Sequence, residues 1–393
     1  MITDVVIVGT GISGLFCALS LPCEKQIVML TKSDIESSDS YLAQGGICVK
    51  RDEDDFAVFM EDTMKAGHYE NRKESVGIMI QDSREVIADL VSYGVEFEKK
   101  DTSIKNLDWE NFCYTKEGAH SRARILYHQD ITGEEITKKL IAEAKKRVNI
   151  TILEYTAMTD IYTEQNVCKG ILAQKDGEII EILAKDVVFA TGGIGGRYTH
   201  STNFPHLTGD ALDIAEKHGI VLEHMDYVQI HPTTLYSKKE GRRFLISESV
   251  RGEGAILLDK EGNRFVNELL PRDVVTNAIH KQMEKDGTEY VWLSLEHIPS
   301  ETIKAHFPNI CKRCLEEGYD VLKEPIPVVP AQHYFMGGIK VDSDSKTSME
   351  HLYAVGETSC NGVHGKNRLA SNSLLESIVF AKRAAKHIGK SDT

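Results

Sequence analysis

The sequence lacks a long apolar run, an excess of basic residues and any dense pattern of cysteines, and each absence excludes a class of protein. No segment approaches the roughly 18 uninterrupted apolar residues that a membrane-spanning helix requires. Lys+Arg number 46 against 60 Asp+Glu, a formal charge of -14. No broad cationic surface is therefore available to neutralise nucleic-acid phosphates, and an anionic small molecule would need a local basic pocket. The eight cysteines are spread singly over 393 residues, the pattern of reduced thiols rather than of a disulfide framework. Cys311 and Cys314 form a single CxxC, half of a zinc site at best and otherwise two helix residues at i, i+3, so no metal centre is expected. The N-terminus has no basic stretch followed by a cleavable apolar segment, and the chain reads as cytoplasmic. Internal repeats and low-complexity tracts are absent.

What is present begins at the first residues. DVVIV at 4–8 reads as a buried parallel strand, GTGISG as a tight turn, and Leu15, Ala18 and Leu19 as the packed face of the next helix. QIVML at 26–30 reads as a second strand. Together they form a βαβ unit, the context in which a GxGxxG carries meaning. Gly9 makes the turn, Gly11 leaves bare backbone for a pyrophosphate, and Gly14 lets the helix pack on the strand, with the helix N-terminus facing the phosphates. The acid that often ends the second strand and holds a ribose is missing, because Leu30, Thr31, Lys32 and Ser33 stand there. Ribose recognition then falls to Thr31, Lys32 or backbone groups.

Helical spacing of Val76, Met79, Ile80, Val86, Ile87, Leu90 and Val91 predicts an amphipathic helix over 75–93, and a second over 133–147. Residues 150–188 alternate as strands, with a KDG turn at 175–177, and DVVFATGG reads as a return to a separate buried strand. After about residue 225 short mixed elements follow as far as the proline cluster PIPVVP. LYAVG at 352–356 then reads as a last parallel strand, 373–388 as a long helix capped by Ser371 or Asn372, and 389–393 as a short tail. The expected architecture is α/β, a Rossmann-like nucleotide-binding domain with an inserted α+β capping domain. Its boundaries are 1–224 for the first part, 225–334 for the capping domain and 335–393 for the second part.

Three further glycine-rich stations, SYLAQGG at 40–46, ATGG at 190–193 and VGETSCNGVHG at 355–365, exceed what a nicotinamide fold needs. A flavin dinucleotide spans several strand ends and needs close backbone approach at each. In this order AQGG, ATGG, TGD, HPT, RGEG, PRD and NRLASNSLLE resemble the succinate dehydrogenase and fumarate reductase flavoprotein family over nearly the whole chain. The resemblance implies FAD, with Ser13, Ser40, Gln44, Gly45, Gly46, Thr191 and Gly192 lining it and Asp210 and Glu357 holding its polar groups. Ser373 and Leu374 would offer helix amides to the isoalloxazine, where a helix N-terminus stabilises negative charge on reduction. Asp39 and Ser40 stand where membrane-complex members carry a flavin-linked histidine, so the FAD is expected to be non-covalent.

The same resemblance implies a dicarboxylate site. Arg368, His231, His333 and Ser247 would hold carboxylates, the first through a planar guanidinium fork. Arg272 matches the family's acid/base arginine, and Glu248 and Arg251 match the pair that relays protons to it, at the i, i+3 spacing of one helical face. Glu117, in TKEGAHSRARI, stands where the L-aspartate oxidase branch has an acid for the substrate ammonium. A carboxylate there would repel succinate and pair with the amine of aspartate. The implied reaction is oxidation of L-aspartate to iminoaspartate with oxygen or fumarate as electron acceptor, and quinolinate synthase as the consumer of the product. The alternative is a fumarate reductase or succinate dehydrogenase type of flavoprotein. Roles for His120, Ser121 and Arg124 stay open, and longer members of the branch continue into a helical domain beyond the flavin-binding helix.

Overall fold

A computed structural model describes residues 1–104, 106–239 and 241–390. Its principal sheet has seven strands. Five run parallel in the spatial order Ile150–Leu153, Ile27–Leu30, Ile2–Val8, Glu178–Phe189 and Leu352–Ala354. Alternate residues of the central strands feed different cores, as a period of two requires. Val5, Ile7, Ile27 and Met29 enter one apolar cluster, while Val6, Val8, Val28 and Leu30 enter another on the opposite face. This two-sided burial explains why DVVIV and IVML are continuously apolar rather than alternating.

The first cluster packs the helices Ile12–Ser20, Lys73–Ser92, Thr132–Lys146 and Asn372–Lys390 against the sheet. The helix over 75–93 is realised with Val76, Met79, Ile80, Val86, Ile87 and Leu90 buried and Val91 partly so. The first helix departs from the expected one-sided packing. All of Ile12 to Leu19 is buried, because the C-terminal helix covers its outer side.

Two other expectations are corrected. EIIEIL and DVVF are not separate strands but one, Glu178–Phe189. Its first half pairs antiparallel with Val167–Lys175 across the turn at Asp176 and Gly177, and its second half pairs parallel with Ile2–Val8. The change from polar alternation to a continuous apolar run reads as two strands, where the backbone makes one. At the other end, Gly389 and Lys390 belong to the last helix rather than to a tail, and 391–393 lie outside the described residues.

A four-stranded antiparallel sheet, in the order Val228–Leu235, Ile326–Phe335, Val291–Ser294 and Ile256–Leu258, supports the third apolar cluster together with the helices Arg272–Asp286, Ser300–His306 and Pro308–Glu316. It is joined to the first body by Asp130, a buried carboxylate that accepts from the backbone amides of Asn309 (3.4 Å) and Ile310 (2.8 Å) and from Asn309 Nδ2 (2.9 Å) at the start of the last of these helices. Phe380 is fully buried in the first cluster. Phe380→Ala is therefore expected to cost about 3–5 kcal/mol, read as a lower urea midpoint with an unchanged slope.

Candidate active site

The carboxyl ends of the parallel strands carry Gly9, Thr31 and Lys32, Thr191 and Gly192, and Glu357, all lining one cleft of about 1570 Å³ counted to its open mouth. The strand order reverses between Ile2–Val8 and Glu178–Phe189, the crevice where open α/β sheets take their ligands. Gly9 has φ +118, and a Cβ there would lie 2.0 Å from the carbonyl oxygen of Ala190, so only glycine allows the turn between these two strand ends. Gly14 does not line the cleft. It lies behind the turn, where a Cβ would sit 2.2 Å from the Gly9 carbonyl oxygen, so its part is the packing of helix on strand.

Gly11, Ser13, Ser40, Gln44, Gly45, Gly46, Asp210, Ser373 and Leu374 also line the cleft. Ser40 Oγ accepts from the amide of Ile12 at 3.1 Å, tying the second glycine station to the first. Lys32 Nζ reaches Asp210 Oδ2 at 2.5 Å, and Thr208 donates to the other carboxylate oxygen. The lysine that replaces the missing strand-end acid thus has an acid of its own, delivered by the helix Asp210–Lys217. Glu357 Oε1 accepts from the amide of Phe335 at 2.9 Å. Burial, with Asp39 nearby, pushes its carboxyl up to about 8. Asp39 is itself pushed up by burial to about 7.

The expected cap of the last helix is corrected. Ser371 adopts φ +61, donates to Glu117 and accepts from the amide of Gly46 at 3.3 Å, while Asn372 Nδ2 donates to Thr63 Oγ1 at 3.1 Å. The Ser371 hydroxyl is spent elsewhere and Asn372 Oδ1 has no partner, so neither caps the helix, whose N-terminus meets the cleft at Ser373 and Leu374. The residues fit FAD on a direct count of unmet polar atoms. Asp39 Oδ2, Gln44 Oε1, His231 Nε2 and Arg368 Nε are buried without a protein partner, and all four belong to the cleft lining. Buried polar atoms normally find partners, so the lining is built for polar ligands.

One end of the cleft gathers Glu117, His231, Ser247, Glu248, Arg272, His333 and Arg368. His231 and His333 come from neighbouring antiparallel strands, with ring centroids 5.1 Å apart. Thr202 Oγ1 lies 2.7 Å from His333 Nδ1, and His231 Nδ1 accepts from the amide of Thr233 at 3.1 Å. Burial, reinforced by Arg272, holds both rings well below the usual histidine range, so both are neutral at pH 7. Arg272 Nε donates to Glu248 Oε2 at 2.6 Å, and Arg251 approaches the same oxygen at 3.3 Å from behind, without lining the cleft. Burial alone would raise Glu248, but the Arg272 and Arg251 guanidiniums outweigh it and hold the carboxyl below its ordinary value. Arg368 lies 4.5 Å over the Tyr334 ring and donates to Ser373 Oγ at 2.9 Å. Burial beside Arg272 pushes its guanidinium down to about 10, still charged at neutral pH. Glu117 is 2% exposed, and burial, followed by the proximity of Glu248, raises its carboxyl.

Sequence reasoning missed Gln229. Its Oε1 accepts from Arg272 at 2.9 Å, and its Nε2 donates to the carbonyl of Arg368 and to Asn367 Oδ1, both at 2.8 Å, so one amide spaces the two arginines. The signal was available, because Gln229 precedes His231 by two in a strand and shares its buried character. The open residues of GAHSRAR also find places. Arg124 is fully buried, bound to Asp55 at 2.9 Å, to Asp62 at 2.7 Å and to His120 Nδ1 at 2.9 Å. Since a guanidinium only donates, His120 donates through Nε2 to the carbonyl of Ala370 at 3.0 Å, and Ser121 donates to Asp62. Cys311 and Cys314 lie one turn apart in Pro308–Glu316, and burial pushes the Cys314 thiol up to about 12. Among the described residues no group of His, Cys, Asp and Glu is arranged to hold a metal. Arg124→Leu would leave Asp62 buried without a cationic partner and Asp55 with only Arg122 at 4.0 Å, and is expected to cost about 3–5 kcal/mol, measured by equilibrium denaturation.

A Rossmann-like sheet, glycine stations at several strand ends and a cationic pocket beside them define the FAD-dependent oxidoreductase class, and the model of the FAD binding domain family matches residues 4–374. An L-aspartate oxidase of Clostridium perfringens is 50% identical over 98% of this chain and 87% of its own length, and one of Clostridium acetobutylicum is 49% identical over 99% and 88%. The chain belongs to the L-aspartate oxidase family. The FrdA chain of E. coli quinol fumarate reductase shares the fold at a TM-score of 0.91 and 29% identity, covering 99% of this chain and 70% of its own. Among the described residues no helix is long and apolar enough to cross a membrane.

Proposed function

We propose that this chain oxidises L-aspartate to iminoaspartate in the cytoplasm, with FAD held non-covalently in the cleft, as the first step of a route to NAD. The observation that carries this reading is a buried acid, Glu117, lining the same cleft as Arg272 and Arg368. Two guanidiniums and two neutral histidines suit a four-carbon dianion, and Glu117, held by serine hydroxyls where Glu248 is paired with arginines, suits the ammonium that distinguishes aspartate from succinate.

FAD, which Gly11, Ser40, Gln44 and Asp210 among the lining residues would hold, would supply the hydride acceptor and the link to oxygen or fumarate. Arg368 takes a substrate carboxylate through its free Nε edge, and His231 offers Nε2, which has no other partner. For that nitrogen to donate, the ring carries its proton there, the tautomer in which Nδ1 accepts from the Thr233 amide at 3.1 Å. Ser247 and His333 complete the carboxylate contacts. Arg272 is the proton-transfer group. A guanidinium is already protonated at neutral pH, so Arg272 accepts the substrate proton only as its Nε gives one to Glu248, 2.6 Å away. Arg251 continues the route from the same carboxylate oxygen. Quinolinate synthase is the consumer of iminoaspartate under this reading.

Anaerobic L-aspartate is expected to bleach the visible flavin absorption of the holoenzyme, and succinate to leave it unchanged. Bleaching by succinate alone would instead favour a succinate dehydrogenase activity. Glu117→Gln is expected to lower kcat/KM for L-aspartate about 30-fold or more, by loss of a buried charge partner, with a much smaller change in fumarate reduction. Equal losses for the two substrates would defeat the assignment. Because Asp39 and Ser40 occupy the stretch that carries a flavin-linked histidine in other members, acid precipitation should release all flavin to the supernatant, and yellow colour retained in the pellet would contradict non-covalent binding.

A further inference from the structure

We propose that Ser249 sets the substrate preference of this chain from outside the cleft, by holding Glu117 as an oriented carboxylate. This rests on the reading above that Glu117 meets the substrate amine. Ser247 and Glu248 line the cleft, whereas Ser249 on the same short helix does not, so it acts as a positioning residue. Its Oγ donates to Glu117 Oε1 at 2.6 Å, and Ser371 Oγ donates to the other oxygen at 2.6 Å. Each carboxylate oxygen therefore has one hydroxyl donor, an arrangement that favours the charged form and fixes the plane of the group.

A hydroxyl has a single proton, and that of Ser249 is committed to Glu117. Its oxygen in turn accepts from Ser247 Oγ at 3.1 Å. The chain of donation runs one way, from Ser247 through Ser249 to Glu117. The acid facing an amine is thereby kept charged, which favours aspartate over a dicarboxylate without an amine.

Glu117 faces Glu248 and Arg272, and lies within electrostatic reach of Arg251 and Cys48. Glu248 is held ionised by its two arginines, and burial keeps the Cys48 thiol protonated. Nearby His120 is pushed down by burial to about 4 and stays neutral. In this cluster Glu117 is therefore the carboxylate that loses its charge first on acidification, while Asp39 and Glu357, raised by burial elsewhere in the cleft, are untouched by Ser249 and contribute equally to wild type and variants. Its carboxyl is already raised by burial and by Glu248, with the two serines and Arg272 opposing that rise. Removal of one donor raises it further, so ammonium binding is lost at a higher pH than before.

The test compares holoenzymes of wild type, Ser249→Ala, Ser249→Thr and Glu117→Gln, normalised to bound flavin, in L-aspartate oxidation and in fumarate reduction. Ser249→Ala is expected to raise the KM for L-aspartate about ten-fold and to move the acid limb of its kcat/KM profile up by about one pH unit, the scale of one hydrogen bond to a charged group. The KM for fumarate should stay level or fall, and Ser249→Thr, which keeps the hydroxyl, should retain the wild-type preference. Equal changes for both substrates, an unmoved acid limb, or a threonine variant that behaves like alanine would each overturn the inference. If Glu117→Gln leaves aspartate KM unchanged, the amine-binding reading itself fails. If that variant behaves as expected and Ser249→Ala does not, only the role of Ser249 is lost.

Discussion

The carboxylate of Glu248 is the constraint on which the cleft depends. Arg251, Arg272 and Arg368 are all at least nine-tenths buried, and three guanidiniums brought together out of water repel one another and forfeit hydration. Glu248 sits between two of them, accepting from Arg272 Nε at 2.6 Å with Arg251 at 3.3 Å. The short helix that begins after Ser247 places Glu248 and Arg251 one turn apart, so the sequence ESVR builds the ion pair locally and then presents it to Arg272 on a distant helix. Gln229 fixes the remaining degree of freedom by spanning from Arg272 to the backbone of Arg368.

This arrangement reconciles a strongly acidic chain with an anionic ligand. A net charge of -14 gives no general attraction for a dicarboxylate, yet the pocket wall carries two uncompensated donor edges, Arg368 Nε and His231 Nε2, each buried without a protein partner. Both histidines are neutral, so at the end of the cleft that holds Arg272 and Arg368 positive charge comes from arginine and does not vary across the physiological range. The low-dielectric wall strengthens each of these contacts relative to water, and the same holds for the proposed contact of Glu117 with a substrate amine.

Much of the fold and site was legible in the sequence because the informative signals were local. Strand, turn and helix around Gly9 to Leu19, the helical period from Val76 to Leu90, and motif segments such as HPT, RGEG and PRD each declare themselves within a few residues. What escaped depended on partners far along the chain. Gln229 matters only because Arg272 and Arg368 fold against it, and Ser249 only because Glu117 arrives from 132 residues earlier. Ser371 resembled a helix cap until Glu117 and Gly46 claimed its hydroxyl. The division of Glu178–Phe189 into two strands failed for a related reason. One strand passes from a half-exposed hairpin into a sheet buried on both faces, and its residue pattern changes with the surroundings while the backbone does not.

That continuous strand ties the antiparallel and parallel parts of one sheet to a single reading frame. Its first half is registered against Val167–Lys175 and its second half against Ile2–Val8 and Leu352–Ala354, ending at the Ala190–Gly192 turn over the nucleotide cleft. A residue inserted or deleted within it would turn every later side chain to the opposite face and drag that turn out of place. Evolutionary change in length is thereby channelled to the exposed bend at Asp176 and Gly177, where the hairpin can grow or shrink without disturbing the flavin end.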